Sequence, residues 1–251
     1  MEKEEKKQFR YGLLGKDISY SFSKGYFAEK FEALGLKNHG YENFDIPKIE
    51  ILVQLLKHEE NLKGFNVTIP YKEAVLPYLS EIDTDAEKIG AVNTVQFTEQ
   101  GLKGYNTDAY GFQRSLEPFL KEQHTNALVL GTGGASKAIL FVLKRLGIET
   151  TSVSRSPDSG QIGYAILDEA IIRAHQLIIN STPLGTYPNI EDKPPIPYKF
   201  ISKDHLLFDV IYNPAKTAFL REGESQGATG CNGLRMLELQ AEKAWEIWNG
   251  S

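Results

Sequence analysis

Along this chain the hydrophobic period switches repeatedly between two and 3.6 residues. Phe9-Arg-Tyr-Gly-Leu-Leu14 predicts a strand closed by Gly15, and a polar loop, Lys16-Asp-Ile-Ser-Tyr-Ser-Phe-Ser23, carries hydroxyls at alternating positions. From about Gly25 to Leu34, Phe27, Phe31 and Leu34 recur at helical spacing as a buried stripe. Tyr41 to Ile46 predicts a second strand, and Ile49 to Leu56 an apolar-faced helix. Strand, helix, strand, helix implies parallel pairing. Phe65 to Ile69 reads as a strand with Asn66 and Thr68 on one side of its pleat. Pro70 suits the first turn of a helix. Ala91 to Phe97 and Leu102 to Tyr105 predict a hairpin, followed by a helix from about Tyr110 to Leu120.

The second half begins near Gln123-His-Thr-Asn126. Asn126-Ala-Leu-Val-Leu130 predicts a strand, and helical spacing runs from Ala135 through Leu146. Glu149 to Val153 predicts the next strand, and the segment from Pro157 to His175 carries no clear period. A strand from Gln176 ends in a polar, glycine-bearing loop reaching Gly185. Past a proline-rich connection, Pro188 to Pro197, Leu206 to Tyr212 predicts another strand, and Asn213-Pro214 opens a helix to about Gln226. The last helix, Leu234 to Trp248, presents Leu234, Leu237, Ala241, Ala244 or Trp245, and Trp248 on one face, with Gln240 beside it.

Three places combine this pattern with chemistry. Gly131-Thr-Gly-Gly-Ala-Ser136 lies between strand and helix, the context a dinucleotide fingerprint requires. Gly131 permits the tight turn, Gly133 lets backbone approach a pyrophosphate at the helix N-terminus, and Ser136 replaces the third glycine. A βα turn using glycine for geometry alone has the same appearance. At the next strand tip stands Ser154-Arg155-Ser156, with no carboxylate before Asp158. An arginine there suits a ribose 2′-phosphate, hence NADP over NAD, although a solvated surface arginine fits too. Lys72 near a helix start opposes the helix dipole, a conflict that marks either function or a tolerated surface lysine. Thr107 and Asp108 read as helix caps.

Composition narrows the classes. The 251 residues can bury one large core or two modest ones, and the net charge of −5 opposes a general nucleic-acid binder. A single cysteine, Cys231, forms no internal disulfide and fits a reducing cytoplasm. No apolar run approaches a membrane span. Met1 to Lys7 reads as a solvated mixed-charge tail and not a signal peptide. No metal is called for.

Six segments together resemble the shikimate dehydrogenase family over nearly the whole chain: Asn66-Val-Thr-Ile-Pro-Tyr-Lys72, Gly90-Ala-Val-Asn-Thr94, Gly104-Tyr-Asn-Thr-Asp108, Gly131-Thr-Gly-Gly-Ala-Ser136, Ile179-Asn-Ser-Thr182 and Gly233-Leu-Arg-Met-Leu-Glu-Leu-Gln240. The resemblance implies an α/β fold of two domains. Residues 1–107 with 232–251 would form an α/β substrate domain, and residues 108–231 a Rossmann-type NADP-binding domain, the C-terminal helix returning to the first. It implies reversible, NADPH-dependent reduction of 3-dehydroshikimate to shikimate, in the pathway to chorismate and the aromatic amino acids. Lys72 would exchange the proton at the C3 oxygen, with Asp108 as its partner. Ser21 and Ser23 would hold the substrate carboxylate. Asn66, Thr68, Asn93, Asp108 and Gln240 would bond ring hydroxyls, with Tyr212 at the same cleft. Gly131, Thr132, Gly133, Gly134, Ala135, Ser154, Arg155, Ser156, Ser181, Thr182, Val210 and Gly233 would bind NADP. A cytoplasmic monomer or homodimer with a small-molecule substrate, and neither nucleic-acid nor membrane partner, is expected.

The chain departs from the family pattern in places. Tyr20 stands where the family usually has His, and Lys24 where it has Pro, which loosens the loop entry. Ser154-Arg155-Ser156 replaces a common Asn-Arg-Thr and keeps the cation, and the span from Arg155 to Asn180 is short. Quinate dehydrogenase, a catalytically idle NADP or shikimate sensor, and a non-enzymatic Rossmann scaffold are the competing readings. Lys72 and Asp108 argue against the sensor, and the polar residues of the first half against the scaffold.

Overall fold

The computed structural model describes residues 8–19, 21–58 and 61–250. The charged segment 1–7 and Tyr20 therefore lie outside the described residues. Contacts divide the chain into two compact units, one of residues 1–107 with 241–251 and one of residues 108–240.

The first unit contains β1 (Phe9–Gly15), α1 (Phe22–Ala33), β2 (His39–Asp45), α2 (Leu52–His58), β3 (Leu62–Val67), α3 (Tyr71–Ala74), β4 (Glu81–Ile82), α4 (Thr84–Ile89), β5 (Thr94–Thr98) and β6 (Gly101–Tyr105). Its six-stranded sheet runs β2-β1-β3-β5-β6-β4. β1 pairs in parallel with β2 and β3, as the βαβα order predicts, while the hairpin β5–β6 joins β3 antiparallel.

α1 begins earlier than the apolar stripe suggests, because Ser21 caps it, and Leu34 ends up exposed just past its end. The expected helix over 49–56 splits into a 3₁₀ turn, Ile49–Ile51, and α2. The strand expected over 65–69 is shifted, since β3 starts at Leu62 and ends at Val67.

α5 (Thr107–Leu116) follows β6, starting three residues before the expected Tyr110. The second unit then contains β7 (Asn126–Leu130), α6 (Gly134–Arg145), β8 (Glu149–Ser154), β9 (Gln161–Gly163), α7 (Glu169–Ala174), β10 (Leu177–Asn180), β11 (Leu206–Asp209), α8 (Ala218–Ser225) and β12 (Thr229–Cys231). Its six strands are ordered β12-β11-β10-β7-β8-β9, and every pair is parallel. Successive strands step one way from β7 and then the other way from β10. This is the doubly wound order, whose crevice opens at the carboxyl ends where the winding reverses. Apolar runs without alternation fill β7, β10 and β11, as a sheet covered on both faces requires.

α8 starts at Ala218, not at Asn213-Pro214, because Thr217 supplies the cap: its side chain accepts from the Leu220 N–H. α9 (Leu234–Asn249) ends in the first unit. The predicted Ala241, Ala244 and Trp248 are buried, but toward the start of the helix Met236 and Gln240 are buried while Leu234 is exposed. Trp248 explains the packing of its last turn. The indole stacks on Tyr11 at 4.9 Å and donates to the Val95 carbonyl at 3.0 Å. A Cβ on Gly64 would fall 2.2 Å from its Nε1. An aromatic of this size buries roughly 150–250 Å², which anchors the helix end.

Candidate functional site

In the first unit, the polar residues around β3 form one hydrogen-bonded group. Asn66 is buried, and its Oδ1 accepts from the Tyr41 hydroxyl at 2.8 Å. Its Nδ2 donates to Thr94 Oγ1 at 3.0 Å and to the Asn93 carbonyl at 3.2 Å. Asn93 Oδ1 accepts from the Thr107 N–H at 2.6 Å, and its Nδ2 donates to Thr107 Oγ1 at 3.0 Å. The Thr107 N–H belongs to the first turn of α5, where no preceding helical carbonyl can serve it. Thr107 and Asp108 are thus the first helical residues rather than caps. Asp108 is 8% exposed and lies in the first turn, where the helix dipole favours an anion.

Thr68 sits one residue beyond β3, and its N–H donates to the Leu14 carbonyl at 2.9 Å. Lys72 is half-buried in α3, and its carbonyl accepts from the Val92 N–H at 2.8 Å, tying it to the 90–94 segment. α3 is a single turn, so the expected conflict between Lys72 and a helix dipole does not arise: first and last turn coincide. Ser21 and Ser23 do not alternate along an extended loop. Ser21 Oγ accepts from the Ser23 N–H at 3.2 Å, which places Ser23 in the first turn of α1. An unpaired helical N–H draws the serine oxygen, and the chain coils one residue later. Upstream, Asp45 accepts from the N–H groups of Asp17 and Ile18 at 2.9 and 3.1 Å, and Asn43 donates to the Ile18 carbonyl at 2.9 Å. Lys24 is exposed.

In the second unit the predicted cofactor residues collect at the carboxyl ends of β7, β8, β10 and β11. Gly131 has φ +101, and a Cβ there would meet Thr182 Cγ2 at 2.9 Å and Ser181 Oγ at 3.0 Å. Only glycine satisfies both the backbone angle and the approach. α6 has Gly133 as its N-cap with no side-chain cap bond, and a Cβ on Gly133 would meet nothing within 4 Å. Thr132 and Gly133 are exposed, and Gly134 and Ala135 are half-buried. Open N–H groups at a helix start with bare backbone before them suit a pyrophosphate. Ser136 is buried and donates to the Gly133 carbonyl at 2.6 Å, which fits its place as the third small residue. At the tip of β8, Ser154 Oγ accepts from the Ser156 N–H at 3.2 Å, leaving Arg155 exposed between them. Cationic reach, bare glycine backbone and open helical N–H groups together fit a phosphorylated dinucleotide.

Ser181 Oγ donates to the Leu130 carbonyl at 2.8 Å, joining the ends of β10 and β7. Thr182 Oγ1 donates to Asn180 Oδ1 at 2.6 Å. Gly233 donates its N–H to the Ile211 carbonyl at 3.0 Å, and a Cβ on it would lie 2.1 Å from the Val210 carbonyl oxygen. That contact brings Val210 and Gly233 together. Tyr212 is half-buried beyond β11. Gln240 is 8% exposed and donates to the Leu237 carbonyl at 2.9 Å.

Beneath these loops lies Asp209, fully buried and not anticipated from the sequence. It accepts from Asn180 Nδ2 at 3.1 Å, from the Ile211 N–H at 3.1 Å and from Thr217 Oγ1 at 2.6 Å. Burial pushes its carboxyl up to about 6, and those three donors oppose the rise. Asp209 was hidden at the end of an apolar strand run, and Tyr41 within the mixed sequence of β2. The available signal was a polar group at the end of a buried strand, which needs a partner.

Residues 13–95 match the model of the shikimate dehydrogenase substrate binding domain. Shikimate dehydrogenase (NADP(+)) of Methanosphaera stadtmanae is 38% identical, covering 95% of this chain and 90% of its own. The structure of shikimate 5-dehydrogenase from Thermus thermophilus in complex with NADP(H) and shikimate superposes with a TM-score of 0.85 at 32% identity, covering 97% of this chain and 94% of that one. Quinate dehydrogenase from Corynebacterium glutamicum in complex with NAD gives a TM-score of 0.83 at 26% identity, over 97% and 94% of the two chains. With relatedness of this extent running from the substrate segment through the doubly wound sheet, the chain belongs to the shikimate dehydrogenase family.

Proposed function

We propose that the protein is an NADP-dependent shikimate dehydrogenase, interconverting 3-dehydroshikimate and shikimate. The observation that carries this reading is relatedness over nearly the full chain to enzymes of that name. The glycine turn at Gly131 and the exposed Arg155 at the tip of β8 support the choice of cofactor. The retained Lys72 and Asp108 favour an enzyme over a sensor. We assign residues 1–107 with 232–251 to the substrate and residues 108–231 to NADP. Cys231, with its thiol pushed up to about 11 by burial, suits a reducing cytoplasm. Among the described residues no helix is long and apolar enough to cross a membrane. A monomer or homodimer is the expected assembly.

NADPH when bound supplies the hydride for the carbonyl carbon. Negative charge develops on the C3 oxygen, and the Lys72 ammonium donates a proton to it, returning to the neutral amine. As a general acid it contributes typically around 10²–10⁴-fold. The Asp108 carboxylate is its partner and bonds a ring hydroxyl. Ser21 and Ser23 orient the substrate carboxylate, while Thr68, Asn93, Tyr212 and Gln240 pair with the ring. Each buried hydroxyl left unpaired would cost about 1–3 kcal/mol, so a polyhydroxylated ring needs many such partners.

The test is a kinetic cycle. Lys72→Ala should cut turnover by about 10²–10⁴-fold and change the Michaelis constants far less. Asp108→Asn should lose part of the same free energy, and the double variant should be little worse than Lys72→Ala. Near-normal turnover of Lys72→Ala would refute the assignment. Fully additive losses would leave Asp108 as a ring-hydroxyl partner alone.

A further inference from the structure

Glycine is the poorest helix former after proline, so one in the middle of a helix is there for another reason. Gly111 lies in the middle of α5 and is buried. A Cβ on it would fall 2.5 Å from the Met236 carbonyl oxygen, 3.1 Å from the Gln240 nitrogen and 3.2 Å from the Gln240 Cβ. Met236 and Gln240 stand at the spacing of one helical hydrogen bond in α9. The bare Cα of Gly111 therefore rests against helix backbone, which cannot swing aside as a side chain can. Two other helical glycines show the contrast. A Cβ on Gly25 would meet nothing within 4 Å, and one on Gly223 would press on the Leu207 side chain.

Asp108 lies one turn before Gly111, so the two share a face of α5. Gln240 stands at the contact itself, and both it and Asp108 are 8% exposed. We propose that Gly111 is a positioning residue for recognition of the ring hydroxyls. It admits the α9 backbone where any side chain would hold it off, and so fixes the spacing at which Asp108 and Gln240 meet one ring. That spacing is set before the substrate arrives, which reduces the ordering that binding must impose. The proposal rests on the reading of Asp108 and Gln240 as ring-hydroxyl partners.

Gly111→Ala adds one methyl and favours the helix locally, so any loss comes from the contact with α9. It should raise KM for shikimate about 3- to 10-fold, the scale of one net hydrogen bond, with KM for NADP changed less. Gln240→Ala should raise the same constant, and the double variant should fall short of the product of the two effects, because the methyl has already displaced Gln240. Gly223→Ala, which crowds a core leucine, should lower the melting temperature and leave KM for shikimate unchanged. Gln240→Asn keeps the amide on a shorter stem, and a spacing matched to glutamine makes it as costly as Gln240→Ala. It decides the matter if Gly111→Ala does not fold, since a KM near the parent's in Gln240→Asn would overturn the inference. So would a lowered melting temperature with unchanged KM for shikimate in Gly111→Ala, or effects that multiply fully in the double variant, or an equal rise in Gly223→Ala. An unchanged KM in Gln240→Ala would instead overturn the reading of Gln240 on which the inference rests.

Discussion

Each unit has a buried polar network at one end of its sheet's central strands, and the two are built from different chemistry. The first, Tyr41–Asn66–Thr94–Asn93–Thr107, is made of hydroxyls and amides and carries no charge. The second is built around the Asp209 carboxyl, fully buried and held by Asn180, Thr217 and the Ile211 N–H. A neutral network keeps one arrangement across pH, which suits residues that must match a neutral ring. A buried carboxylate binds its donors more strongly when ionised and costs more to bury, so its stability contribution depends on pH. The first network sets side chains. The second sets backbone, since its arms end on Thr182 and on the Val210–Ile211 turn that Gly233 touches.

The largest expected effect that separates the two networks is therefore titration. The Asp209 carboxyl is raised from 3.8 to about 6. Between those values the folded protein keeps the proton that the unfolded chain has released. Stability from this group is thus fully present below the unfolded value and falls as pH rises through about 6. The difference is about 3 kcal/mol from a shift of this size. Unfolding of the parent and of Asp209→Asn at pH 4 and pH 7 should show the parent gaining about 2 kcal/mol of that, relative to the variant, at the lower pH. A difference independent of pH would contradict the account of the second network. Tyr41→Phe, lying in the neutral network, should show no such dependence.

A smaller effect tests the cofactor edge. Arg155→Ala removes one charge-assisted contact and should raise KM for NADP about 10- to 100-fold, with KM for NAD little changed. Equal changes for both cofactors would mean that Arg155 does not reach the 2′-phosphate.

How legible these regions were follows from the same contrast. Sites made of backbone leave glycine in the sequence: the Gly131 turn was readable because strand and helix flank it. The long apolar runs of β7, β10 and β11 were readable for the same local reason. β4 and β12 were not, since strands of two and three residues carry no period. α4 depends on the Asp83 cap and on Gly90 at φ 70, signals that only the ends of the helix display. The start of α8 was misplaced because Thr217, the true cap, is selected by its bond to Asp209, eight residues away. Tyr41 was placed only as the start of a strand, and its polar end gained meaning only from Asn66, 25 residues distant. Asn93 and the catalytic reading of Asp108 came through family resemblance, and Lys72 was marked beforehand only by an expected conflict with a helix dipole that the single turn of α3 does not produce.

The most direct test of the central claim is a spectrophotometric assay of the purified protein with shikimate and with quinate, each against NADP and NAD. The account predicts that shikimate with NADP has the highest kcat/KM of the four pairs. Faster turnover of quinate with NAD, or no turnover with any pair, would contradict it.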